Sequence, residues 1–125
     1  EVRFLLAGDA WPAVLEASLD RLLAPGERLA VSGFKLAHHG SVANVSESLL
    51  GKLSCANYLI STNGAIFHHP HARCVELLLK NHGAPGKPRL HFNYLTPTTE
   101  AWRSAADQAA RGYQAFHPKG LSLVF

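Results

Sequence analysis
The chain has 125 residues, 47% of them hydrophobic, one domain's worth of sequence and enough to bury a core. Twelve Lys and Arg against nine acids leave a formal charge of +3; the cations are spread singly and form no basic run, which leaves nucleic acid a weakly supported partner. No apolar run nears the roughly 20 residues that cross a bilayer, and the composition is neither disordered nor fibrous.

Residues 3–8, Arg3-Phe4-Leu5-Leu6-Ala7-Gly8, predict a strand apolar on both faces that ends at Asp9. Ala13–Leu23 follows at helical spacing through Val14, Leu15, Leu19, Leu22 and Leu23. Pro12 suits its first turn, and Pro25-Gly26 ends it. Leu29–Ala37 is a second strand region, interrupted near Ser32-Gly33 and running into His38-His39-Gly40-Ser41. Ser46–Leu53 reads as a short helix, with Leu49, Leu50 and Leu53 on one side. Asn57–Ser61 is a third strand and Asn63-Gly64 a turn. A second strong helix is expected from Pro70 to about Asn81, with Val75, Leu78 and Leu79 as its apolar stripe. Arg89–Tyr94 makes a fourth strand and Thr98–Ala110 a further helix; Gly112–Phe116 and Leu121–Phe125 close the pattern as a hairpin. This alternation predicts a single layered α/β domain, a mixed sheet with flanking helices.

Cys55 and Cys74 lack the short spacing of a zinc knuckle or redox pair. They read as buried reduced thiols, compatible with a cytoplasmic setting. The chain opens on Glu1-Val2-Arg3, directly in a strand, and contains no methionine, the expectation being a fragment or processed piece.

Three predicted strands end in polar or coordinating groups. Asp9 fits either a helix N-cap or a carboxylate that bridges two hard cations. Adjacent side chains on a strand point to opposite faces, so at most one of His38 and His39 is expected to face the site of Asp9. His38 is assigned as the ligand, with His39 lining the pocket or orienting it and Ser41 donating to substrate or ligand. His69 is the best candidate of the His68-His69-Pro70-His71 group, because the positive end of a helix keeps an imidazole neutral. His68 and His71 read as surface residues, Asn93 and Tyr94 as structural in preference to lining a cleft, and His82, His91 and His117 as ordinary. A phosphoacceptor role for Asp9 is disfavoured, because no second acid adjoins it to hold magnesium.

Taken together, Leu6-Ala7-Gly8-Asp9-Ala10, the run from Phe34 to Ser41, Ile60-Ser61-Thr62-Asn63-Gly64 and the His69-Pro70 step resemble the C-terminal half of a metallo-β-lactamase-fold metallohydrolase. The resemblance is in particular to the branch that includes the hydrolase-like domain of DNA-uptake channel proteins and their stand-alone relatives; Phe92-Asn93-Tyr94 and Trp102 fit the latter. The resemblance implies an αββα sandwich built from two βα halves, with a one- or two-metal site, usually zinc with manganese possible, at the sheet edge between them. It implies that Asp9 bridges the metals and that His38, or else His39, completes the second metal site. The family's His-x-His-x-Asp-His cluster belongs to the N-terminal half and is absent from this chain. Two ligands are fewer than the about three per ion that a hydrolytic centre needs. The isolated chain is therefore expected to turn over weakly or not at all. It is also expected to leave one sheet face uncovered, and so to self-associate or take a partner segment. The rival expectation is a non-catalytic module of the same fold that binds protein or nucleic acid.

Overall fold
The computed structural model describes residues 1–117. Its elements run β1 (Phe4–Leu6), α1 (Pro12–Asp20), β2 (Leu29–Val31), β3 (Gly33–Lys35), two 3₁₀ turns (Ala37–Gly40 and Val42–Asn44), α2 (Glu47–Gly51), β4 (Leu53–Cys55), β5 (Asn57–Ile60), α3 (Ala72–Asn81), β6 (Arg89–Phe92), α4 (Pro97–Glu100), α5 (Ala105–Arg111) and β7 (Gln114–Phe116). The main sheet has five strands in the order β1-β3-β5-β6-β7. Every pair in it is parallel, so the expected mixed sheet is a parallel one among the described residues.

The strands are laid down across this sheet in chain order and never reverse. Right-handed crossovers between strands added in one direction all fall on the same face. One face therefore carries Phe34, Tyr58, Ile60, Leu90 and Phe92, all buried in one core with Leu19 of α1, Leu49 and Leu50 of α2, and Val75 and Leu78 of α3. Each such side chain contributes about 1.5–3 kcal/mol on burial. Strand alternation puts Phe4, Leu6, Lys35, Leu59, Arg89 and Phe116 on the other face. There Leu6 is 71% exposed and Phe116 42%, while Phe4 lies with its ring over Gly33, where a Cβ would meet it at 2.7 Å. Parallel sheets are ordinarily covered on both faces. This one is covered by the described helices on one.

Several sequence expectations are corrected. The interruption at Ser32-Gly33 is a change of sheet: β2 leaves the main sheet and pairs in parallel with β4. The Asn57 side chain closes the gap by donating to the Ser32 carbonyl at 2.8 Å. The helix at 46–53 is shorter, capped by the Ser46 hydroxyl, and Leu53 belongs to a strand. The helix expected over Thr98–Ala110 is two, because Thr96 caps the first in a reciprocal capping box and Ser104 caps the second. Helix α3 starts at Ala72 and not at Pro70; the His71 amide is taken by the Gly40 carbonyl at 3.0 Å. Gln114–Phe116 is a strand, but it pairs in parallel with β6; its expected hairpin partner Leu121–Phe125 lies outside the described residues. Among the described residues no helix is long and apolar enough to cross a membrane. Cys55 and Cys74 are free and buried, and burial pushes their thiols up to about 11 and about 12.

Candidate functional site
In a parallel sheet all carboxyl ends share one edge, where loops converge and ligands are usually bound. Here the segments leaving β1, β3, β5 and β6 enclose a cleft of about 520 Å³ at that edge. Asp9, His38, His39 and His69 line it together with the 61–67 loop, Asn93 and Tyr94. Asp9 does not cap α1: the N-cap is Trp11, and Pro12 begins the helix as expected.

The two adjacent histidines do not diverge as strand residues would. The chain leaves β3 at Lys35, and His38 (φ 44°, ψ 46°) and His39 (φ 58°, ψ 21°) both adopt left-handed backbone, a conformation in which His is among the better-tolerated residues. Both rings consequently border the same cleft, with centroids 6.3 Å apart. His39 Nδ1 meets the Ser61 carbonyl. A carbonyl only accepts, so Nδ1 carries the proton and Nε2 is left with a lone pair.

Gly40 joins this turn to the second histidine group. Its φ is 89°, and a Cβ there would lie 2.8 Å from Pro70 Cβ. That close approach brings the His69 ring within 5.2 Å of His38, centroid to centroid, and stacks it on Phe67 at 5.7 Å. His69 is 5% exposed. Burial, and then the neighbouring His71, His38 and His39, hold it below its ordinary value. Protonation of this ring is disfavoured chiefly by burial and not by a helix end, since α3 begins only at Ala72. The Thr98 hydroxyl fixes the same segment by donating to the His69 carbonyl at 2.9 Å.

Ser41 is placed differently from expectation. It is buried, its hydroxyl accepts from the Ala43 amide as a cap of the second 3₁₀ turn, and it does not line the cleft. His71 is more than a surface residue: its Nδ1 accepts from the Val42 amide at 3.1 Å. His91, read as ordinary, is buried and stacked on Phe116 at 5.1 Å, with Nε2 3.1 Å from Asn57 Oδ1. Asn93 has the structural role expected, accepting from the Thr62 amide at 2.8 Å and donating to the Ser61 hydroxyl. Sequence reasoning missed Asn44, which is 2% exposed. Its Nδ2 donates to the Asp9 and Ala10 carbonyls at 3.3 and 3.1 Å, and its Oδ1 lies 3.3 Å from His38 Nδ1. With the His38 amide donating to the Gly8 carbonyl at 2.8 Å, these bonds tie the loop of Asp9 to the loop of His38.

The oxygen and imidazole donors around this cleft are chemically suited to zinc or manganese. Among the described residues, however, no three His, Cys, Asp or Glu side chains stand close enough to hold an ion by themselves. The donors fit a share of a metal site and not the whole of one.

The fold and cleft define a class: an α/β protein with a parallel sheet covered on one face by its described helices and an aspartate–histidine cleft at the carboxyl edge. No protein-family profile, curated protein or solved structure matches the chain.

Proposed function
We propose that this chain is the C-terminal βα half of a metallo-β-lactamase-type αββα sandwich and supplies part of the metal centre of a hydrolase. Asp9 gives the bridging carboxylate and His38 a nitrogen ligand, with zinc, or manganese in its place, as the ion. The observation that carries this reading is the convergence of Asp9, His38, His39 and His69 on one cleft, at the edge of a sheet whose second face is open. A partner segment laid on that face as a second sheet completes the sandwich and brings the remaining ligands to the same edge. A bound divalent ion supplies the Lewis acidity that makes water reactive near neutral pH. The residues of this chain do the rest. His39 lines the cleft beside His38. Neutral His69 donates to, or accepts from, the substrate or leaving group. Phe67 and Tyr94 form an aromatic rim against which an ester, phosphodiester or amide is oriented.

Lys35 supports the coupling of face to site. It lies on the open face, its Nζ donates to the Leu36 carbonyl at 3.0 Å, and the charge of Asp9 opposes the lowering that burial imposes on it. A second reading, a non-catalytic module binding protein or nucleic acid through this face, is favoured by the exposed Leu6 and Phe116 on its two edge strands and the exposed Arg89 on the strand next to the latter. It expects Asp9→Ala and His38→Ala to leave all binding unchanged.

The test is an assay of a generic phosphodiester and a lactone with added zinc or manganese, paired with sedimentation at micromolar concentration. Weak or absent turnover together with self-association through the open face is expected. Robust, chelator-sensitive turnover by a monomeric chain would overturn the incompleteness at the heart of the reading.

A further inference from the structure
We infer that Asn44 is a positioning residue that locks His38 in the Nδ1–H tautomer, so that the Nε2 lone pair is the face His38 offers to a ligand. Backbone carbonyls have no proton to give. The side-chain atom of Asn44 that meets both the Asp9 and Ala10 carbonyls, at 3.3 and 3.1 Å, is therefore its amide nitrogen. Turning the amide over would press Oδ1 against two carbonyl oxygens inside a site where Asn44 is 2% exposed, and a buried amide without its partners is costly. With the nitrogen fixed, the atom 3.3 Å from His38 Nδ1 is Oδ1, again an acceptor only. His38 Nδ1 must then carry the proton, and in a neutral imidazole the lone pair is left on Nε2.

The same amide does a second thing. Its nitrogen spans the carbonyls of the residue that carries the cleft carboxylate and of the residue after it, while its oxygen orients the histidine. One side chain thus sets both the tautomer of His38 and the separation of the two loops that carry Asp9 and His38. Metal-ligating histidines are commonly oriented in this way by a partner on the opposite ring nitrogen. The role of this tautomer in holding an ion rests on the metal reading proposed above; the tautomer itself does not.

Imidazole ¹⁵N shifts of the full chain at pH 8, without metal, test it directly. His38 in the wild type is expected to show a protonated Nδ1 and an unprotonated Nε2; a protonated Nε2 overturns the assignment, whatever the variants do. In Asn44→Ala the lock is gone, and the His38 signals are expected to move toward the Nε2–H form that free imidazole side chains prefer; an unchanged spectrum overturns it. Zinc titrations followed at the His38 ring are expected to weaken about 10- to 100-fold in Asn44→Ala. Should the wild type show the stated tautomer and no response to zinc, the metal reading fails and the role of Asn44 stands.

Discussion

Replacing Gly40 with alanine separates two costs that the structure keeps distinct. Gly40 has φ 89°, and the added Cβ would stand 2.8 Å from Pro70 Cβ and 3.3 Å from Pro70 Cα. Left-handed backbone costs an alanine about 1–2 kcal/mol. Overpacking against a proline that is itself buried adds about 1–3 kcal/mol. Gly112 is the internal reference: its φ is 70°, and a Cβ there meets nothing within 4 Å, so Gly112→Ala incurs only the about 1–2 kcal/mol of backbone cost. At about 4 °C per kcal/mol for a domain of this size, Gly40→Ala should lower Tm by roughly 8–20 °C and Gly112→Ala by roughly 4–8 °C. Both are read by thermal unfolding of the purified chain. The excess at Gly40 measures the contact that sets the His38 turn against the His69 segment. Equal losses at the two glycines would refute the claim that this contact holds the cleft together.

The two faces of the sheet should respond oppositely to truncation. Leu90→Ala, in the core, is expected to cost about 2–5 kcal/mol in urea unfolding, whereas Leu6→Ala, 71% exposed, should change stability by about 0.5 kcal/mol or less while weakening self-association. A large stability loss at Leu6 would mean that the open face is packed within the chain. Stability should also fall as pH drops from 7 toward 5. His69, His91 and His117 are all held below their ordinary value of 6.5, by burial first in each case. The unfolded chain therefore takes up protons near 6.5 that the folded chain refuses, which favours unfolding below that pH, and the full contribution is present only above it. His91→Gln should flatten the unfolding profile over this window; a profile steeper than that of the wild type contradicts the assignment of burial as the cause.

The carboxyl edge of the sheet was legible because each strand there is a short apolar run closed by a polar group: Asp9 after Leu5-Leu6-Ala7, His38 after Phe34, and the 61–64 loop after Leu59-Ile60. Hydrophobic burial fixes such runs locally, so pattern and structure agree. What escaped depends on contacts distant in sequence. The left-handed turn at His38 and His39 follows from Gly40 meeting Pro70, so a strand rule applied to two histidines gave the wrong geometry. Asn44 sits in a polar loop with no periodicity, and its role exists only because the Asp9 loop lies beside it. Strand β4, three residues directly after a helix, carries too few residues to show a period. The split of the helix after Thr98 was, by contrast, written in the sequence: Thr96 and Ser104 are both cap residues, and each starts its own helix.

The most direct test of the account is zinc binding by calorimetry to the wild type, Asp9→Ala, His38→Ala and the double variant. If the two residues share one ion, each single substitution removes most of the affinity, and the double variant loses little beyond either single one. Affinity unchanged by either substitution, or losses that simply add, would contradict a shared site.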